Sequence, residues 1–345
     1  MAKVDFYTID KAEKEAVFNA VAAKKRMTPF AVEKDWWVVQ TLGIVFEMKM
    51  SQYLLFKGGT SLSKAWRLIE RFSEDVDLAI DRELFGFSGD LNKNQRDKLR
   101  KVAGSYVDDE FFSELKAAFH EKGFSEVNLV LEEGEESDRD RKINIYYPNV
   151  IESTGYMEPR VQIEIGSRSL RDPFTHQTFG SLLDEVYPQE NFAKLPIVVP
   201  TVNPERTFLE KIFLLHEEFQ RPAYKMRVDR LSRHLYDVVK LSKTEFAQKA
   251  LEDPDLYETI VHHRQTFTRI GGLNYNLHQP KTINPLPVPE IMGAWKSDYN
   301  IMVEQMIYET DPLSFEQLMF EMSALKERIN ALPWEFRTKS PSPGL

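Results

Sequence analysis

The sequence predicts an α+β protein, with a sheet-bearing part preceded by helices and followed by a helical C-terminal domain. Three observations carry this expectation. Residues 53–80 read as strand, glycine turn, helix and strand, and residues 127–165 hold three segments rich in β-branched and aromatic residues. From Asn203 onward, apolar residues instead recur at helical spacing.

Taken in order, residues 9–50 predict two helices, with Asp10 capping the first and Thr28-Pro29 opening the second as cap and first-turn proline. Tyr53 to Phe56 predicts a short strand running into Gly58-Gly59, Ser61 to Glu70 a helix, and Val76 to Ile80 a second strand. Residues 82–125 carry no strong strand signal and predict an insertion of loop and helix, most clearly helical from Asp108 to His120. Strands are expected at Val127 to Leu131, Lys142 to Tyr147 and Arg160 to Ile165, with Glu132 to Arg141 as an exposed hairpin loop and Ile197 to Val199 as a final edge.

Beyond that point Phe208, Ile212, Leu215 and Phe219 mark one helical face, which Leu231, Leu235 and Val238 continue in the next segment. Gln279 to Pro289 predicts a loop and Phe315 to Leu332 a closing helix. The expected domains are a core at 1–200 containing the insertion at about 82–125, a helical domain at 201–338 and a flexible tail at 339–345.

The 345 residues are 42% hydrophobic, enough to fill a substantial core. No apolar run approaches the roughly 20 residues that span a bilayer, and the first residues lack the apolar centre of a signal peptide, so a cytoplasmic location is expected. The absence of cysteine excludes disulfides, thiolate metal sites and a thiol nucleophile. A net charge of −9 argues against coating nucleic acid nonspecifically, which depends on neutralising many phosphates. Lys24 to Arg26, Arg139 to Lys142 and Lys225 to Arg233 are the denser basic stretches, each readable as solvated surface charge or as part of a local groove.

The chemistry centres on Asp75-Val76-Asp77-Leu78, whose alternation puts both carboxylates on one strand face. Alone, such a triplet is also common at a solvated strand edge. Its context adds Gly58 and Gly59, which let backbone amides approach a phosphate, and Thr60, a hydroxyl at a helix start that favours an anion. The segment does not match the phosphate loop Gly-x4-Gly-Lys-Ser/Thr. Holding metals for phosphoryl chemistry usually calls for a third carboxylate. Glu164 fits best because Val161 to Ile165 alternates, although an exposed strand glutamate has the same pattern; Glu152 and Glu158 sit in turn-like sequence.

Lys211 borders the apolar stripe of the helix Glu205 to Phe219, from which it could reach a triphosphate or merely flank the core. Asp229, Arg233 and Asp237 recur at four-residue intervals along the next helix, a spacing that also suits an exposed ion-pair ladder. His216 lacks the second histidine of a zinc-protease helix, and His262-His263 has no partner signature.

Val32-Glu33-Lys34-Asp35-Trp36-Trp37, Phe56 to Lys64 and Arg71 to Leu78 together resemble the nucleotidyltransferase AbiEii/AbiGii toxin family, relatives of the MenT toxins, over most of residues 30–240. The resemblance implies a DNA polymerase β-like core, a mixed sheet flanked by helices. It further implies a phosphate-binding turn at Gly58, Gly59 and Thr60 with Lys64 and Ser73 at the nucleotide, metal carboxylates at Asp75 and Asp77, and nucleotide-site roles for Lys211 and Asp237. Glu164 departs from the short-spaced motifs, because the insertion separates it from Asp77. The implied cofactor is Mg²⁺ or Mn²⁺.

By the same resemblance, the expected role is the toxin of a bacterial toxin–antitoxin or phage abortive infection system. It would transfer NMP from GTP or a pyrimidine NTP to an acceptor such as tRNA or a protein, with a cognate antitoxin as partner and no membrane. Phosphorylation of Ser73 by the antitoxin would place a dianion beside the metal site and oppose nucleotide binding. Two other readings stay open at this point: a kinase or NTPase that moves the γ-phosphate, and a catalytically silent nucleotide sensor or antitoxin-binding module.

Overall fold

The computed structural model describes residues 5–73, 75–132, 140–153 and 158–336. Glu74, Arg139 and the expected tail 339–345 lie outside these residues, as does most of the expected 132–141 hairpin loop. The chain divides into two compact units, the first of residues 1–66 and 72–202, the second of residues 67–71 and 203–345.

The first unit opens with α1 (Lys11–Lys25) and α2 (Pro29–Val45). Asp10 accepts from the Glu13 amide at 2.9 Å, and Thr28 caps α2 through the Ala31 amide with Pro29 in its first turn. α2 is buried on nearly every side, including its charged residues Glu33, Lys34 and Asp35.

Then come β1 (Leu54–Lys57), the single helical turn α3 (Gly58–Thr60), a π turn over Ser61–Ala65, and β2 (Asp75–Ile80). The insertion holds α4 (Lys93–Tyr106) and α5 (Phe112–Glu121), joined by a further π turn at Val107–Phe111. After it follow β3 (Asn128–Leu131), β4 (Arg141–Tyr146), β5 (Arg160–Gly166), β6 (Phe174–Phe179), the short α6 (Leu182–Val186) and β7 (Ile197–Val202).

These strands form one mixed seven-stranded sheet in the order β3-β4-β5-β2-β1-β7-β6. β2 runs parallel to β5 and antiparallel to β1, while β1 runs parallel to β7. Together with its flanking helices this is an α+β fold, as the sequence predicts.

Two expectations are corrected. The helix expected from Ser61 to Glu70 stops at Ala65, and Arg67 follows in the left-handed region at φ 55°, which no helix can continue through. Ile197 to Val199 is not an edge: β7 lies between β1 and β6, and Phe174–Phe179 forms the outer strand.

The core lies on one face of the sheet, where Phe56, Val76, Leu78, Ile80, Ile143, Ile145, Val161, Ile163 and Ile165 pack in one cluster with Val32, Trp36, Val39 and Leu42 of α2. A one-residue slip of β2 would expose Val76 and Leu78, each worth about 1.5–3 kcal/mol buried, and drive Asp75 and Asp77 into that cluster. Apolar burial on one face therefore fixes which residues appear on the other.

The second unit is helical: α7 (Pro204–Phe219), α8 (Ser232–Ser242), α9 (Glu245–Glu252), α10 (Pro254–His263), α11 (Met292–Gln305) and α12 (Phe315–Asn330). Residues 67–71 belong to it although they precede β2 in the chain; Arg71 bridges to Ile307, and the Tyr308 amide donates to the Glu70 carbonyl at 3.0 Å. Among the described residues no helix is long and apolar enough to cross a membrane.

Candidate active site

The sheet face opposite the core carries the predicted carboxylates. In the strand register Asp77 pairs with Lys57 of β1 on one side and Glu164 of β5 on the other, and Glu164 pairs with Lys142 of β4. One row across four strands thus reads Lys57, Asp77, Glu164, Lys142, with the two carboxylates in the middle. The next row holds Asp75, Gln162 and Asn144. Adjacent strands lie about 4.8 Å apart, so facing side chains in each row are neighbours.

Asp75, Asp77 and Glu164 are all half-buried. The Lys142 ammonium stands 2.9 Å from Glu164 Oε1 and donates toward Gln162 Oε1 at 3.4 Å, and Gln162 in turn donates to Asn144 at 2.8 Å. Burial works to lower Lys142, but the Glu164 carboxylate outweighs it and raises the ammonium above its usual value. Among the described residues, no three His, Asp or Glu side chains converge closely enough to form a preassembled metal centre.

The glycine turn abuts this row. Gly58 has φ +80°, and a Cβ there would stand 2.7 Å from Asp77 Cγ, so the missing side chain is what leaves room for the carboxylate. Thr60 Oγ1 donates to the Asp75 carbonyl and Ser61 Oγ to the Gly58 carbonyl at 2.9 Å, which ties the turn to the start of β2 and to itself.

Lys64, expected at the nucleotide, forms a buried ion pair with Asp35 of α2 at 2.6 Å. Asp35 also accepts from the Leu182 amide at 2.7 Å; burial nevertheless pushes its carboxyl up against the pull of Lys64. Ser73 is buried, so a kinase would first have to expose its hydroxyl. Glu152 and Glu158, the weaker carboxylate candidates, lie outside the named strands, and Glu158 pairs with Arg160.

Lys211 and Asp237 fall in the second unit. Asp237 on α8 is completely buried and is not part of an exposed ladder; Asp229 lies in the turn before that helix. The Arg71 guanidinium grips both Asp237 oxygens at 2.6 and 2.7 Å, and the Lys211 ammonium of α7 stands 2.9 Å from Oδ2. Burial alone would raise the Asp237 carboxyl, but Arg71 and then Lys211 hold it well below the usual carboxylate range. Burial lowers Lys211, with Asp237 opposing and Arg71 adding to the shift. His234 Nδ1 lies 3.3 Å from Lys211 Nζ, and burial followed by that neighbouring charge lowers its pKa far below the ordinary value. Arg71 lies in the Arg71 to Leu78 segment, but nothing local in the sequence marks it; its role comes from its fold partner Asp237.

The basic stretches are largely engaged within their own units. Lys25 pairs with Glu185 and Lys24 lies over the Tyr187 ring. Lys225 ends a short 3₁₀ turn, and Arg227 is held by the buried Glu218 through both its backbone amide and its guanidinium.

A mixed sheet whose polar face carries paired carboxylates beside a glycine turn fits the nucleotidyltransferase class of enzymes. The family model of the nucleotidyl transferase AbiEii toxin of type IV toxin–antitoxin systems matches residues 47–321, and the chain belongs to that family. It is a nucleotidyltransferase. The match runs beyond residue 240 into the helical unit, while Val32 to Trp37 lie before its start. Among solved structures, MenT4, a nucleotidyltransferase toxin from Mycobacterium tuberculosis H37Rv, is similar at 19% identity, covering 94% of this chain and 98% of MenT4 with a TM-score of 0.45. No curated protein matches the chain.

Proposed function

We propose that the Asp75, Asp77 and Glu164 face is the centre of a divalent-cation-dependent nucleotidyl transfer, with Gly58 to Thr60 receiving the phosphates of a nucleoside triphosphate. The observation that carries this is the register of Asp77 with Glu164 on parallel strands, beside a glycine that leaves space for the Asp77 carboxylate. Three hard oxygen donors on one face suit Mg²⁺ or Mn²⁺. When bound, the cation would neutralise charge on the phosphate oxygens and favour departure of pyrophosphate.

The residues of the chain supply the setting for an acceptor oxygen to attack the α-phosphorus. A new oxygen–phosphorus bond forms, the bond to the bridging oxygen of the β-phosphate breaks, the acceptor loses a proton, and pyrophosphate leaves. The glycine turn orients the triphosphate through backbone amides, and Thr60 fixes that turn to β2. Lys64 acts on the turn from its ion pair with Asp35. For the second unit we assign Lys211 to phosphate and make Asp237 its positioning residue, itself locked by Arg71.

GTP or a pyrimidine nucleotide is the proposed donor and tRNA the proposed acceptor, with a protein acceptor as the other outcome of a labelling experiment. The biological setting would be growth arrest or abortive infection by a cytoplasmic toxin held in check by a cognate antitoxin. The family assignment supports the toxin role. The test is the pair Asp75→Asn and Asp77→Asn: each should keep the fold and lower transfer by at least about a hundredfold. Folded variants that transfer at the wild-type rate would overturn the assignment.

A further inference from the structure

We propose that Lys142 is a built-in competitor for the divalent cation, occupying Glu164 in the cation-free protein and setting the cation concentration at which the carboxylate face fills. This rests on the reading above, that Asp77 and Glu164 hold the cation.

The geometry that carries it is the row across the sheet. Lys142 faces Glu164 in register and touches its carboxylate at 2.9 Å, while the same glutamate faces Asp77 on the other side. Glu164 therefore sits between two alternatives, an ammonium from β4 and a cation shared with β2. A second contact, to Gln162 Oε1 at 3.4 Å, holds the ammonium over β5, and Gln162 is itself anchored by Asn144. Lys142 engages Oε1 of Glu164, so a cation that draws on that oxygen must displace the ammonium from it.

The Lys142 side chain is 39% exposed, so its ammonium has access to water once released from Glu164. A positive charge kept on the carboxylate face opposes a divalent cation there, and the tenfold change in affinity expected on removing it corresponds to about 1.4 kcal/mol. The competition for Glu164 adds to that.

The experiment is Mn²⁺ titration of the full chain without nucleotide, by calorimetry and by the electron paramagnetic resonance signal of free Mn²⁺. Lys142→Met should tighten binding about tenfold, Lys142→Gln should do the same while keeping a polar contact to Gln162, and Lys142→Arg, which retains the charge, should not tighten it. Asp77→Asn should weaken binding in every background. Thermal melts run in parallel identify any variant that fails to fold, and the two neutral variants serve as replacements for each other. If the wild type binds Mn²⁺ through Asp77 but neither neutral variant binds more tightly, the competitor role is wrong and the carboxylate site stands. If Asp77→Asn binds as the wild type does, or the wild type binds no Mn²⁺, the carboxylate reading fails and the role of Lys142 fails with it.

Discussion

The carboxylate of Asp77 lies against the bare α-carbon of Gly58, in space that any side chain at position 58 would claim. This contact couples the glycine turn to β2 more tightly than their separation in sequence suggests. Gly58 serves two needs at once: a backbone at φ +80°, and a surface without a β-carbon.

Gly58→Ala should therefore damage both stability and activity. The left-handed backbone costs alanine about 1–2 kcal/mol, and the added carbon displaces the Asp77 carboxylate. Urea denaturation should register the first effect, and nucleotidyl transfer should fall by at least about a hundredfold. An alanine variant with full activity would show that Asp77 need not occupy its present position.

In the helical unit, Asp237 balances two buried cations, Arg71 and Lys211. Asp237→Ala leaves both without their carboxylate and should cost about 3–5 kcal/mol, seen as a lowered denaturation midpoint. Lys211→Met leaves the bidentate Arg71 pair intact, so it should stay folded while losing transfer. If Asp237→Ala were as stable as the wild type, the aspartate would not be the structural anchor described here.

Acid should destabilise the same unit through His216. Its Nδ1 accepts from the Asn284 amide at 2.9 Å, and burial, reinforced by the adjacent His278 ring, lowers its pKa from 6.5 to about 3. Between those values the unfolded chain takes up a proton that the folded chain refuses, so stability is complete above about pH 6.5 and falls as pH drops toward 3. From pH 7.5 to 5.0 the share of the loss due to His216 is about 2 kcal/mol, and His234, whose pKa burial also lowers far below the ordinary value, adds to it over the same range. Glu217 adds a second loss at lower pH: burial opposes its ionisation, but Arg264 prevails and lowers it from 4.5 to about 2. Urea midpoints across this range, compared with those of His216→Gln, test the histidine. An unchanged pH slope in the variant would exclude it.

Much of the first unit was legible because its signals are local. Asp10, Thr28 and Pro29 mark helix starts through their own side chains, and the alternation of Asp75 to Leu78 names the polar face. Most of what the sequence does not show depends on partners far along the chain. The helix after the glycine turn ends early, and Glu70 and Arg71 engage Tyr308, Ile307 and Asp237 at separations of more than 160 residues. Periodicity in Ser61 to Glu70 contains none of that. β6 was missed because Thr-His-Gln-Thr between its two phenylalanines has little apolar alternation. Lys142 read as one charge in a basic run, and only the register of β4 on β5 turns it toward Glu164. A sequence can identify Glu164 as a strand carboxylate, but its place beside Asp77 is a property of the sheet.

The most direct measurement of the central claim is the fate of label from a nucleoside triphosphate incubated with the protein, Mg²⁺ and total bacterial RNA. Label in the α-phosphate should appear on an acceptor with release of pyrophosphate, and Asp77→Asn should abolish it. Transfer of γ-label alone, or no incorporation into RNA or protein from any of the four triphosphates, would contradict nucleotidyl transfer at this site.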